Sequence, residues 1–289
     1  MRRLTCLAFL ATFLASASAH AEPQDFQLYK LGNPATEANA NANFRLFASQ
    51  LGAALCSYNL EPPETLGHSG FNIAFEYAIA TINNAPSVWP TVQGAPPSTL
   101  LMPTLHLRKG LPFSVEIGAK VSYLQETRMA AGTVEVKWAL NEGFFYFPDL
   151  GIRGHGTHLV GSRDFSLTIA GLDIGLGHQF AIGGMLTLTP YAGFDMQWVY
   201  ASSGVIDFNP GRSLSDSQTN PTDQTGVFDT VQIHQNYNLR GYFGVRLISY
   251  VFEFAAEASI VDTAKITMAD GTQAHEEIWV FGAKVGLDF

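Results

Sequence analysis

The sequence predicts an all-β fold: a transmembrane antiparallel up-and-down β-barrel of about ten strands, with eight or twelve as alternatives, preceded by a helical segment. Three observations predict it. From Ser69 onward apolar side chains recur with period two, the repeat of a strand whose successive residues face opposite sides. The last strand shows this most fully: Trp279, Phe281, Ala283, Val285, Leu287 and Phe289 share one face, and Val280, Gly282, Lys284, Gly286 and Asp288 the other. An apolar face backed by small or charged residues suits a wall between lipid and a polar lumen. Finally, 47% of residues are hydrophobic, yet beyond the amino-terminal end no apolar run is long enough for a spanning helix. That leaves a buried soluble core or a barrel with an apolar outside.

The amino-terminal end reads as an export leader, residues 1–21. Arg2 and Arg3 are its basic region, Leu7–Leu14 its apolar core, and Ala19 and Ala21 the small residues that predict cleavage after Ala21. Cys6 lies too early to accept a lipid. Loss of the leader leaves Cys56 alone, so no intramolecular disulfide is expected, and burial is the simplest state for its thiol. The net charge of −9, more acidic still without Arg2 and Arg3, excludes nucleic acid as a partner, because phosphates need a basic surface.

Residues 22–68 form a non-strand segment. Asn33-Pro34 has the chemistry of a helix start, Asn as cap and Pro at the first helical position. Phe44, Phe47, Ala48, Leu51 and Leu55 follow at helical spacing, and Pro62-Pro63 ends any helix. The face centred on Phe44, Phe47 and Leu51 needs an apolar partner. A helix on the periplasmic side is expected, either folded into the lumen as a plug or capping the lower mouth; a soluble spacer is the plainer alternative.

The barrel is assigned to residues 69–289. Strand one sets Phe71, Ile73, Phe75, Tyr77 and Ile79 against Asn72, Ala74, Glu76, Ala78 and Ala80. Strand two, near 99–108, opposes Leu101, Leu105 and Leu107 to Thr104, His106 and Arg108. The third places Phe113, Val115, Ile117, Ala119, Val121 and Tyr123 outside, with Ser114, Glu116, Gly118, Lys120 and Ser122 inside. The fourth carries Val134, Val136 and Trp138 against Glu135 and Lys137. The fifth, around 150–160, alternates poorly through GIRGHGTHL. The sixth, 165–177, changes phase near Gly171, from Phe165, Leu167 and Ile169 to Leu172, Ile174 and Leu176, which a β-bulge would absorb. The seventh opposes Leu186, Leu188, Ala192, Phe194, Met196 and Trp198 to Thr187, Thr189, Tyr191, Asp195 and Gln197. The eighth opposes Leu239, Phe243, Val245 and Leu247 to Arg240, Tyr242 and Arg246. The ninth sets Phe252, Phe254, Ala256 and Ala258 against Glu253 and Glu257.

A final strand ending on Phe289 resembles the assembly signal of bacterial outer-membrane β-barrels. The resemblance implies an outer-membrane location, a lipid-facing belt and delivery by the barrel assembly machinery. Loop lengths agree. The connections 84–98, 125–128, 161–164, 202–236 and 262–275 alternate with the short ones near 109–112, 141–149, 178–183 and 248–250, the asymmetry of external loops and periplasmic turns. The stretches ETLGHSGF (ending at Phe71), LRKGLPFSVEIGAKV (107–121), EVKWALNEGF (135–144) and FAIGGMLTLTPYAGF (180–194) are similar to uncharacterised outer-membrane barrels of myxobacteria and other delta-proteobacteria. That similarity implies a barrel and brings no reaction or ligand. Asn33-Pro34-Ala35 resembles the hatch of the longer FadL-type fatty-acid transporters, which have about fourteen strands.

The inward faces would gather Glu76, His106, Arg108, Glu116, Lys120, Glu135, Lys137, Asp173, Asp195, Arg240, Arg246, Glu253, Glu257 and Lys284. Such charges either pair to fill a narrow barrel or line a polar conduit. No catalytic, metal or cofactor site is expected. His155 and His158 fall on opposite strand faces, Asp229 and His234 sit near one loop by chance, and GxSxG, HExxH and CxxC are absent. The leading expectation is a non-enzymatic outer-membrane barrel serving passage of a small or hydrophobic solute, or envelope structure. A surface-interaction protein using the polar 202–236 connection is the rival, and a FadL-like transporter of hydrophobic compounds the second alternative. A charge placed at Val115 or Ile117 is expected to be costly, and neutralising Glu116 mild.

Overall fold

The computed structural model describes residues 22–92, 96–144, 146–211 and 225–289, apart from Ser57 and the side chain of Cys56. The expected leader, the burial of Cys56 and the middle of the 202–236 connection lie outside the described residues. Ten long strands form the wall: β1 Phe71–Thr81, β2 Thr99–Leu111, β3 Val115–Tyr123, β4 Ala130–Asn141, β5 Asp149–Val160, β6 Phe165–Gly177, β7 Leu186–Ser203, β8 Tyr237–Ser249, β9 Phe252–Asp262 and β10 Glu277–Asp288. Each pairs antiparallel with its sequence neighbours, and β1 pairs with β10 from Asn72↔Asp288 to Ala80↔Val280, closing an up-and-down barrel. Closure leaves no unpaired edge, which hydrocarbon would not tolerate.

Alternation sets the facing. Phe75, Val121 and Val134 are 56%, 61% and 67% exposed on the outer wall, while Glu76 and Arg240 are 0% exposed inside. β5 is a full strand despite its glycines, and it turns Arg153, His155 and Thr157 inward. β6 contains no bulge. Its register with β5 and β7 is unbroken, and Phe165, Leu167, Ile169, Gly171 and Asp173 all face inward. The apolar residues change face because the lumen changes character: apolar near one end, charged toward the other. Phe113 and Ser114 leave the third strand for a tight turn, at φ 66° and 56°.

The two ends of the barrel differ. One carries the connections 82–98, 124–129, 161–164, 204–236 and 263–276; the other carries the short turns 112–114, 142–148, 178–185 and 250–251. The third of these turns is extended by Phe180–Ile182 pairing back on Leu186–Leu188.

Helix α1 is Ala40–Cys56. Asn33-Pro34 does not start it. Asn33 instead closes a separate turn, its carbonyl accepting from Thr36 and Glu37 and its amide donating to Glu37 Oε1 at 3.1 Å. The helix lies inside the barrel in the half nearest the long loops, not on the side of the short turns. Asn41 pairs with Asp229 (2.7 Å), Phe44 stacks on Phe228 and meets Phe165 edge-on, and Ser49 bonds Asn238 (2.6 Å). The reason is partner chemistry: Phe165, Leu167, Ile169, Val199 and Ala201 offer buried apolar surface only in that half. Phe44, Phe47 and Leu51 are fully buried there, worth about 1.5–3 kcal/mol each. A side chain at Gly52 would begin 2.9 Å from Val199, so the missing Cβ sets how closely helix and wall approach.

Below the helix the chain continues extended through the lumen. Tyr58 bonds Ser122 (2.7 Å), the Leu60 amide donates to Glu257 (2.8 Å), and the Thr65 amide donates to Glu142 (2.8 Å) at a short turn. The segment therefore threads the barrel from end to end. Replacing outward-facing Ile117 or Val136 by Arg should cost about 2–4 kcal/mol at mid-bilayer. Unfolding in urea after refolding into vesicles should show that loss, along with reduced heat-modifiable migration on gels.

Candidate functional site: the threaded, ion-paired lumen

Period-two strands bring one charged residue after another onto the same inner wall, and the threaded segment supplies the rest. The fourteen charges expected to line the lumen, Glu76, His106, Arg108, Glu116, Lys120, Glu135, Lys137, Asp173, Asp195, Arg240, Arg246, Glu253, Glu257 and Lys284, all lie inside and are buried. They are joined into two adjoining groups.

Nearest the short turns, Glu61 of the threaded segment accepts from Arg108 at 2.8 Å and from Lys284. Arg108 also meets Glu116 (3.2 Å) and Glu253 (3.3 Å), Lys284 donates to Glu253 (2.8 Å), and Lys137 pairs with Glu116 (3.0 Å). Arg246 pairs with Glu64, the second carboxylate that the segment brings. Deeper in, both ring nitrogens of His106 face carboxylates, Glu76 at 2.7 Å and Glu135 at 2.9 Å, while Lys120 holds Glu76 at 3.2 Å. Arg153 bridges Glu135 (2.8 Å) and Asp173 (3.0 Å), and Tyr242 donates to Asp173 (2.7 Å). His155 meets Asp195 at 3.1 Å, and Arg240 joins Asp195 (3.6 Å) to Glu257. Glu257 also accepts from the Asn59 and Leu60 amides and from Tyr191.

Glu61, Glu64, Arg153, Tyr191 and Tyr242 take part without having been singled out as charges of the lumen. Tyr191 and Tyr242 show as inward positions of their strands. Glu61 and Glu64 lie ahead of the alternating pattern and give no sequence signal. Glu116 also changes meaning: it holds two cations and the Leu66 amide (2.9 Å), so neutralising it takes a partner from both cations and is expected to cost stability.

A void of about 10 Å³ beside Leu55, Tyr58, Lys120 and Arg153 has room for one water at most. Glu61, Glu76 and His106 offer oxygen and nitrogen atoms within 4.8 Å of one another, as a metal site would. Lys284, Arg108, Lys120 and Glu135 already engage those groups, so the arrangement is one of ion pairs. Of the histidines considered for chemistry, His155 points inward, whereas His158 points outward and bonds Thr168 (2.9 Å). Asp229 is engaged by Asn41. A further His–Asp pair, His275 with Asp262 at 3.0 Å, sits exposed on the long-loop rim.

A closed ten-strand antiparallel barrel with an apolar belt outside and paired charges inside is a transmembrane β-barrel of the bacterial outer-membrane type. No family model and no curated protein sequence matches the chain. Among solved structures it is similar to Neisserial surface protein A, at 11% identity and TM-score 0.31, over 76% of this chain and 97% of that one. It is also similar to the outer membrane protease OmpT from Escherichia coli (9%, TM-score 0.36, 80% of this chain and 99% of that one). A third is the outer membrane protein OprG from Pseudomonas aeruginosa (11%, TM-score 0.31, 78% and 99%). The class assignment rests on this chain's own register and facing.

Glu61→Gln should destabilise the folded barrel by about 3–5 kcal/mol, because Arg108 and Lys284 stay buried with less compensation. Adding Lys284→Met should return part of that loss, since it removes a buried cation left with Glu253 as its one carboxylate partner. Urea titrations of the refolded variants in micelles measure both. Equal stability of Glu61→Gln and the parent would deny the lattice its role.

Proposed function

We propose that the protein is a sealed, non-enzymatic outer-membrane barrel whose working surface is its long-loop end: an envelope and surface-presenting protein, not a standing pore. The observation that carries this reading is the threaded segment, which fills the lumen from end to end: its helix packs on the apolar half of the wall, and Glu61 and Glu64 are ion-paired to the wall near the short turns. A conduit needs a continuous water path, and here helix, extended chain and paired side chains occupy it. Solute passage would require the segment to leave. A FadL-like role is less well supported, because ten strands fall short of that architecture and the Asn33-Pro34 turn closes on its own Glu37.

The surface-interaction reading gains from the 204–236 connection. Phe228 stacks on Phe44 and meets Phe208, so the described ends of the connection are fixed on the helix and lumen plug beneath them. Outer-membrane lipid is the partner of the apolar belt. We read Phe289, 64% exposed and paired through its backbone to Phe71, as what the barrel assembly machinery recognises. The resemblance to myxobacterial barrels rests on four sequence stretches alone.

In planar bilayers the full-length protein should show no conductance steps, whereas a variant lacking residues 22–60 should conduct if it inserts. Frequent steps from the intact protein would overturn the sealed reading. Orientation has its own test. In a Cys56→Ser background, Ala38→Cys should react with a membrane-impermeant maleimide on intact cells and His68→Cys should not; the opposite pattern would invert the barrel.

A further inference from the structure

At the long-loop end the chain leaves a cleft of about 360 Å³ between residues 25–28, Val92, and the β3–β4 and β5–β6 loops. The volume lies at the lower end of the range for small-ligand sites. We propose that this cleft binds a phosphorylated saccharide. The proposal rests on the long-loop end being the working face, and it adds the ligand class.

The lining carries two charges of each sign, Arg128 and Arg163 beside Asp25 and Asp164, and the two arginines are its anion-binding groups. Arg163 is exposed and carries no ion pair among the described residues. The Arg128 guanidinium has one distant contact, Asp25 at 3.7 Å. Asp25 is itself occupied by backbone, accepting from the Arg128 amide (2.9 Å) and the Glu22 amide (2.9 Å). Two arginines therefore line the cleft with much of their donor capacity unused, on a chain whose net charge is −9. A planar fork of N–H groups suits a phosphate, which can accept two parallel hydrogen bonds from each.

The site is built rather than accidental. Gly161, at φ +95°, lets the β5–β6 loop press on the Arg128 carbonyl, closer than any side chain would permit. That contact fixes the two arginine-bearing loops against each other. The floor is rigid: Phe26 packs edge-on against Phe47 (4.7 Å) and Trp89 (5.3 Å), with Met129 buried beside it. An apolar floor with Asp164 and Ser162 on the rim suits a sugar ring, whose faces are apolar and whose hydroxyls need acceptors and donors. The plain alternative is a pair of solvated surface arginines.

The test uses the full-length protein folded in micelles and titrated calorimetrically with glucose 6-phosphate, glucose and inorganic phosphate. In parallel, nanodiscs with and without monophosphoryl lipid A are scored for protein-bound lipid. Saturable binding of glucose 6-phosphate, not matched by glucose and weakened about tenfold or more by Arg163→Gln or Arg128→Gln, is expected from losing a charge-assisted hydrogen bond. Lys265→Gln, an exposed base outside the cleft, should bind as the parent does. Arginine-dependent capture of the lipid alone would also support the site and identify a glycolipid headgroup as its source. Overturning results are binding of neither sugar phosphate nor lipid, binding unaffected by both arginine changes, or equal binding of glucose. Conductance and maleimide labelling are independent of these measurements, so failure of the cleft leaves the sealed reading standing, and the converse.

Discussion

Glu61 sits on a stretch of chain with no secondary structure of its own, yet the interior is organised around it. It reaches Arg108 from β2 and Lys284 from β10, two strands separated by β1, and through them Glu116 and Glu253. The wall's own seven ion-paired carboxylates match its seven lysines and arginines, with His106 and His155 besides, and Glu61 and Glu64 add two more negative charges that Arg108, Lys284 and Arg246 share with them. Buried ions are tolerated only when paired and hydrogen-bonded, since each costs several kcal/mol to desolvate. The threaded carboxylates are thus part of the wall's own electrostatics.

The same constraint divides the lumen into two zones. A helix about 10 Å across nearly fills a ten-strand barrel, and where it lies the wall is apolar: Phe165, Leu167, Ile169 and Val199 face Phe44, Phe47 and Leu51. Where the helix ends, the chain exposes backbone amides and carbonyls that need partners. There the wall turns charged, with Glu257 taking the Asn59 and Leu60 amides and Lys137 donating to the Pro62 carbonyl (3.3 Å). Wall chemistry follows the secondary structure of the segment within it.

That division explains what was legible in the sequence. Facing was readable wherever the outside is apolar and the inside polar, which holds through the charged half of β1 to β4 and β7 to β10. β6 read as bulged because a strand crossing from the helix zone to the charged zone has apolar residues on its inner face first and on its outer face later. β5 read poorly because Gly151, Gly154 and Gly156 erase the contrast on both faces, which hid Arg153. The apolar helix face was visible through its 3.6 period, but its placement depended on the wall around it. Asn33-Pro34 has cap chemistry, and a local turn with Glu37 satisfied it. Glu61 and Glu64 had no period to betray them, because an extended chain inside a barrel takes its partners from every side.

Threading also restricts how the molecule assembles. Residue 71 opens β1 directly after the segment, so the chain that fills the lumen and the strand that closes it against β10 are continuous. Were the barrel to close first, residues 22–60 would have to pass the charged zone to reach the apolar one, carrying the Phe44–Phe47–Leu51 face past buried ions that lacked two of their carboxylate partners. Forming the pairs while the β1–β10 seam is open avoids both costs. In that order the strands would close around a segment already held, with the ladder from Asn72↔Asp288 to Ala80↔Val280 as the last to form.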